Sequence, residues 1–92
     1  MHLRPMADQT PKQSRRDDRT TKAYGVVLQT YRKQASITQE ELAARCDMDR
    51  AYISEIERGL KEPCLSTLLK LGRVLQVSAG DMLKDVEKQL AD

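Results

Sequence analysis

The chain has 92 residues, with 16 Lys and Arg, 14 Asp and Glu and one His, giving a formal net charge of +2 at pH 7. That length allows one small domain, and with no Trp or Phe and three Tyr its core must be aliphatic. No apolar run approaches the roughly 18 residues that span a bilayer, and no apolar signal region follows the first charges, so a cytoplasmic protein with no membrane partner is expected.

Residues 1–20 hold two Pro, several small polar residues and the charge run Arg15-Arg16-Asp17-Asp18-Arg19. Nothing there is amphipathic, which reads as a flexible N-terminal arm ahead of a folded domain over 21–92. A first helix is expected from about Lys22 to Ala35, entered through Thr20 or Thr21. Tyr24, Val27, Leu28 and Tyr31 follow helical spacing toward a core, and Arg32 and Lys33 suit the negative pole of its last turns.

Residues 38–59 read as two short helices joined by a tight turn. Thr38 is a good N-cap, Glu41 three residues later completes a capping box, and Ile37 can staple onto Leu42. Leu42, Ala43 and Cys46 share one face. The next helix starts at Asp49 as N-cap and buries Ile53 and Ile56 before Gly59 ends it. Only Asp47-Met48-Asp49 separates the two helices, and Asp47 is among the few non-glycine residues that enter a left-handed turn readily. A small residue, Ala43, at the crossing and apolar residues Met48, Ile53 and Ile56 in a shared wedge are what a helix-turn-helix requires.

Pro63 blocks helix continuation before Cys64, and Leu65, Leu68, Leu69, Leu71, Val74 and Leu75 are expected inward on a fourth helix. Ser78, with Asp81 three residues on and Val77 able to staple to Met82, marks a fifth. These last two helices occupy 64–90. Met82, Leu83, Val86 and Leu90 recur along the fifth at helical spacing. Val86 and Leu90 either meet a second copy of the chain or close the core of their own.

Tyr24-Gly25, Leu28 and Tyr31-Arg32-Lys33, then Ile37 through Ala43, then Ile56-Glu57-Arg58-Gly59, Pro63, Leu65 and Leu68-Leu69 together resemble the lambda-repressor/Cro-like (XRE) family over about residues 22–84. The resemblance implies an all-α, five-helix lambda-repressor-like DNA-binding domain. It also implies a transcriptional regulator, and a repressor is expected. In that family the arginine at the position of Arg32 often pairs with an acidic residue, so Glu41 or Glu57 is its expected partner. Cys46 should fill an apolar core position, and Cys64 stands where the family often has a capping Ser.

Double-stranded DNA is the expected partner. A recognition helix over 50–58 would enter the major groove with its N-terminal end first. Arg50 suits a bidentate contact to guanine or a phosphate contact, and Ala51 could touch a thymine methyl. Tyr52 and Ser54 suit phosphate or groove-wall contacts. Gln39 can meet a phosphate, and the resemblance implies that it also braces the recognition helix. Glu55 would repel phosphate and helps only by accepting from cytosine or by orienting Arg50 or Arg58, while Arg58 and Lys61 look like phosphate clamps. One helix touches too few base pairs for useful selection, so a homodimer on a palindromic operator is expected, joined through the fourth and fifth helices.

Charge stands in tension with this reading. Residues 1–20 carry five basic and three acidic residues, so the remaining 72 are balanced at eleven of each, whereas phosphate neutralisation supplies most non-specific DNA affinity. Three readings stay open: basic residues cluster on one face with Arg50, Arg58, Lys61 and Lys22; binding is weak unless dimeric; or the domain has left DNA binding for a protein partner, the resemblance implying that antitoxins of the family bind a partner protein as well as DNA. Catalysis is not expected, since His2 is the only histidine and lies in the arm. Two Cys without a CxxC or a Cys/His cluster, and glycines that form no phosphate-cradling loop, leave no metal or cofactor site.

Overall fold

The computed structural model describes residues 17–92, so all but the last four residues of the expected arm lie outside it. Five helices follow in order: α1 Asp18–Gln34, α2 Gln39–Cys46, α3 Arg50–Glu57, α4 Leu65–Leu75 and α5 Ala79–Ala91. Helix α1 begins four residues ahead of the expected Lys22. Its N-cap is Asp17, whose carboxylate accepts from the backbone N–H of Arg19 at 2.9 Å and of Thr20 at 3.3 Å. Thr20 and Thr21 are therefore inside the helix. Their hydroxyls turn back onto Asp17, Thr20 to its carboxylate and Thr21 to its carbonyl.

Helix α1 packs on α3 and α5, α2 packs on α3 and α4, and α4 packs on α5. The core at their junction is Ala23, Tyr24, Val27, Leu28, Leu42, Ala43, Cys46, Ile53, Ile56, Leu71, Met82 and Val86. Burial pushes the Cys46 thiol up from its ordinary range, as suits a small apolar filler. Cys64 takes the N-cap position of α4. Hydrogen bonding to Ser66, then to Thr67, draws its exposed thiol down to about 6.

Two expectations about the core are corrected. Leu65 and Leu69, expected inward, are 70% and 50% exposed. Helix α4 packs mainly on α2 and α5, and six large aliphatic residues on eleven positions cover more of its circumference than these two neighbours can bury. Val86, offered as a dimer contact, is 4% exposed within its own chain, because α5 lies across α1 and carries it into the core. Leu90 is half-buried against that same core. The α1–α5 junction is further tied by the Tyr31 hydroxyl donating to Asp85 and by Arg19 Nη2 donating to the Leu90 carbonyl at 3.4 Å.

Helix α1 and the end of α3 approach each other backbone to backbone at Gly25. A Cβ at Gly25 would stand 2.5 Å from the Ile56 carbonyl oxygen and 2.6 Å from that of Glu57. Both obstacles are backbone and cannot rotate away. Gly25→Ala must push α1 off α3, and we expect a loss of about 2 kcal/mol by overpacking, read as a lower midpoint in urea with an unchanged slope.

Candidate nucleic-acid interface

The interface is built on the N-termini of α2 and α3. At α2 the capping box forms in full: the Thr38 hydroxyl accepts from the Glu41 N–H at 3.0 Å, and the Glu41 carboxylate accepts from the Thr38 N–H at 2.8 Å. Asp47 ends the helix in the left-handed conformation, φ 56° and ψ 47°. The Met48 N–H then reaches back to the Ala43 carbonyl at 2.9 Å, which reverses the chain within three residues. Asp49 is the N-cap of α3, as expected, with the extended N-cap backbone, although its side chain makes no capping bond.

One polar cluster fixes how α3 is presented. Arg32 Nε donates to Glu57 Oε2 at 2.6 Å and Arg32 Nη2 to Oε1 at 3.0 Å, which selects Glu57 over Glu41 as its partner. Gln39 Nε2 donates to the same Oε1 at 2.9 Å, and Gln29 Nε2 at 3.4 Å. Arg32 Nη1 also donates to the Ile37 carbonyl at 2.9 Å in the loop between α1 and α2. With side chains 10% and 1% exposed, this is a buried bidentate pair whose remaining hydrogen-bonding capacity is largely used. Burial alone would push the Glu57 carboxyl up, but hydrogen bonds from Arg32, Gln39 and Gln29 outweigh it and hold it below its ordinary value.

The outer face of α3 is where the recognition residues were expected. Arg50 and Ala51 are exposed at its first turn, while Tyr52, Ser54 and Glu55 are half-buried. Tyr52 also packs against the core, so its ring supports the helix. Gln39 spends one amide proton on Glu57, which matches the bracing role implied for it, and its second remains for a phosphate. Glu55 is not the acid paired with Arg50; Glu40 is, with Arg50 Nε and Glu40 Oε2 at 3.8 Å. Arg58 and Lys61 are exposed beyond the C-terminus of α3. Gly59, at φ 76°, lies so close to Lys22 that an added Cβ would stand 2.6 Å from its Cγ. Lys22 therefore joins Arg58 and Lys61 at one end of the recognition helix and Arg50 stands at the other. Arg45, Lys70, Arg73, Lys84 and Lys88 lie on α2, α4 and α5, so the basic residues are only in part gathered on this face.

Sequence reasoning missed Gln29, Glu40 and Gly25 as contributors. Gln29 and Gly25 carry no linear signal, since each acts on a residue about thirty positions away. Glu40 could have been suspected as an acid beside Gln39, at the end of a helix expected to meet phosphate.

A tightly reversed helix pair, with the second helix braced from behind and a basic residue at its exposed N-terminal turn, defines the class: a helix-turn-helix DNA-binding domain. Comparison with known proteins agrees, for a family model described as helix-turn-helix matches residues 28–82. The chain is 39% identical over 57 residues to control protein C.BamHI of Bacillus amyloliquefaciens, spanning 62% of this chain and 70% of that one. Its fold is similar to the restriction-modification controller protein C.AhdI of Aeromonas hydrophila, with TM-score 0.66 and 29% identity, over 67% of this chain and 94% of that one. It is also similar to the clp gene regulator ClgR of Corynebacterium glutamicum, with TM-score 0.76 and 30% identity, over 78% and 77%. The chain belongs to the XRE-type helix-turn-helix family and is a DNA-binding transcriptional regulator. No helix among the described residues is long and apolar enough to cross a membrane, and no group of three potential metal ligands occurs among them.

Removing the Glu57 charge leaves a buried guanidinium unpaired, so Glu57→Gln should cost about 3 kcal/mol. Because the folded carboxyl titrates below its unfolded value, its stabilisation is complete above the unfolded value and disappears as pH falls through the folded one. Urea midpoints measured from pH 7 down to pH 3 should fall for the wild type, and the Gln variant should follow a shallower slope.

Proposed function

We propose that this chain is a cytoplasmic repressor of the restriction-modification controller type, acting as a homodimer on a palindromic operator with no enzymatic activity of its own. The observation that carries this reading is the division of α3 into two faces. Ile53, Ile56 and Glu57 lock its inner face, while Arg50 and Ala51 stand exposed at the end that enters a major groove first. Arg50 reads a guanine through two parallel N–H bonds, and Ala51 meets a neighbouring thymine methyl. Gln39, Tyr52, Ser54, Arg58 and Lys61 hold phosphates and the groove wall, so they set register rather than sequence.

The second copy packs on the exposed leucines of α4 and α5. Leu65 and Leu69 are one helical turn apart, and Leu83 on α5 is 41% exposed. In this role they replace Val86, with Leu90 at the edge. A two-fold arrangement brings the two α3 helices to half-sites about 34 to 36 Å apart on one face of the duplex, and it doubles the phosphate contacts of a domain with little net charge.

Selection of bound duplexes from a random pool, with wild type and Arg50→Ala side by side at two salt concentrations, should enrich an inverted repeat with half-sites about one turn apart. The Arg50 variant should lose preference at one symmetric position. If nothing is enriched even at low salt, the DNA reading fails and a protein partner takes its place. Leu65→Glu and Leu69→Glu should each shift sedimentation equilibrium from dimer to monomer with the helical circular dichroism unchanged. A wild type that sediments as a monomer at every concentration would end the dimer reading.

A further inference from the structure

We propose that Glu40 is a specificity-determining residue: it holds the Arg50 guanidinium by its Nε edge, aims its two Nη groups into the groove, and keeps Arg50 from binding phosphate indiscriminately. This rests on the reading of Arg50 as a base contact. Glu40 belongs to the first turn of α2. Its neighbour Glu41 is committed to the capping box with Thr38, whereas Glu40 instead faces Arg50 across the gap between the two helix starts, 3.8 Å away.

The geometry suits a buttress rather than a structural tie. The two side chains remain 58% and 69% exposed, so the pair adds little to folding. At 3.8 Å the contact is an ion pair without a formed hydrogen bond, and it can tighten or open as DNA docks. A carboxylate at the Nε edge leaves Nη1 and Nη2 as the edge that meets guanine O6 and N7.

An acid at this point also acts on DNA directly. It lies one residue from Gln39, at the positive end of α2, where a phosphate would otherwise be drawn. On a non-operator duplex Arg50 has no guanine to reward it, so Glu40 keeps it neutralised and adds repulsion to the nearest phosphate. On the operator the guanine contact is made with Glu40 still behind the guanidinium. Glu40 thus lowers affinity for wrong sequences more than for the right one.

The test is a double-mutant cycle of wild type, Glu40→Gln, Arg50→Ala and the pair, measured by fluorescence anisotropy on the selected operator and on a scrambled duplex. Glu40→Gln should bind the scrambled duplex two- to fivefold more tightly while operator affinity stays level or falls, so the specificity ratio drops. The released Arg50 should also add one phosphate contact on scrambled DNA, steepening the slope of log K against log salt by about 0.9. In the Arg50→Ala background the slope should not change, and the gain on scrambled DNA should shrink to the part due to repulsion alone. An unchanged ratio and slope, or the same changes with and without Arg50, would overturn the role of Glu40 while leaving DNA recognition standing. No binding of the wild type to either duplex would overturn both.

Discussion

The carboxylate of Glu57 is the point on which the DNA-facing part of the molecule depends. A charge whose side chain is only 1% exposed cannot persist without close compensation, and Arg32 supplies it from α1 by two hydrogen bonds of 2.6 and 3.0 Å. The same guanidinium reaches the Ile37 carbonyl, so the loop that launches α2 is set by the pair that anchors α3. Gln39 then joins the first residue of α2 to that carboxylate. Three helices meet at one group, and the angle at which the recognition helix is offered follows from it.

That cluster lies at the C-terminal end of α3, whereas the exposed Arg50 and Ala51 lie at its N-terminal end. The short turn through Asp47 holds the other end, helped by the apolar wedge of Met48, Ile53 and Ile56. Tight anchoring at both ends matters for a helix of eight residues, which is too short to be stable alone. Preorganisation of this kind lowers the ordering cost at binding, an advantage for a domain whose weak net charge provides little electrostatic attraction. Only some of the surface cations gather at this face. Lys22, Arg58 and Lys61 stand at one end of α3 and Arg50 at the other, with Glu40 and Glu55 interleaved.

Much of this was legible in the sequence because it depends on local chemistry. The capping box at Thr38, the cap at Ser78, the left-handed Asp47 and the stop at Gly59 are decided within four or five residues, and each stands where the residue types put it. The start of α1 was misplaced for a local reason too. Two consecutive acids in a mixed charge run hide which of them caps, and the following threonines look like caps themselves. Helical spacing identified the core residues of α2 and α3, where two short helices have one inner face each. It overcounted on α4, where the apolar stripe is wider than the neighbours that cover it.

What the sequence by itself determined is the set of helices, their caps, the turn that makes two of them a helix-turn-helix, and the end of α3 that carries an arginine. Those features are set by backbone hydrogen bonding and side-chain spacing over a few residues. Only the tertiary structure decided which acid pairs with Arg32, that Gln29 and Gln39 converge on it, that Gly25 lets α1 touch the backbone of α3, and that Glu40 faces Arg50. It also placed Val86 inside and left Leu65 and Leu69 outside. Each of these is settled by how helices far apart in the chain lie against one another, and no periodicity within a single helix records that.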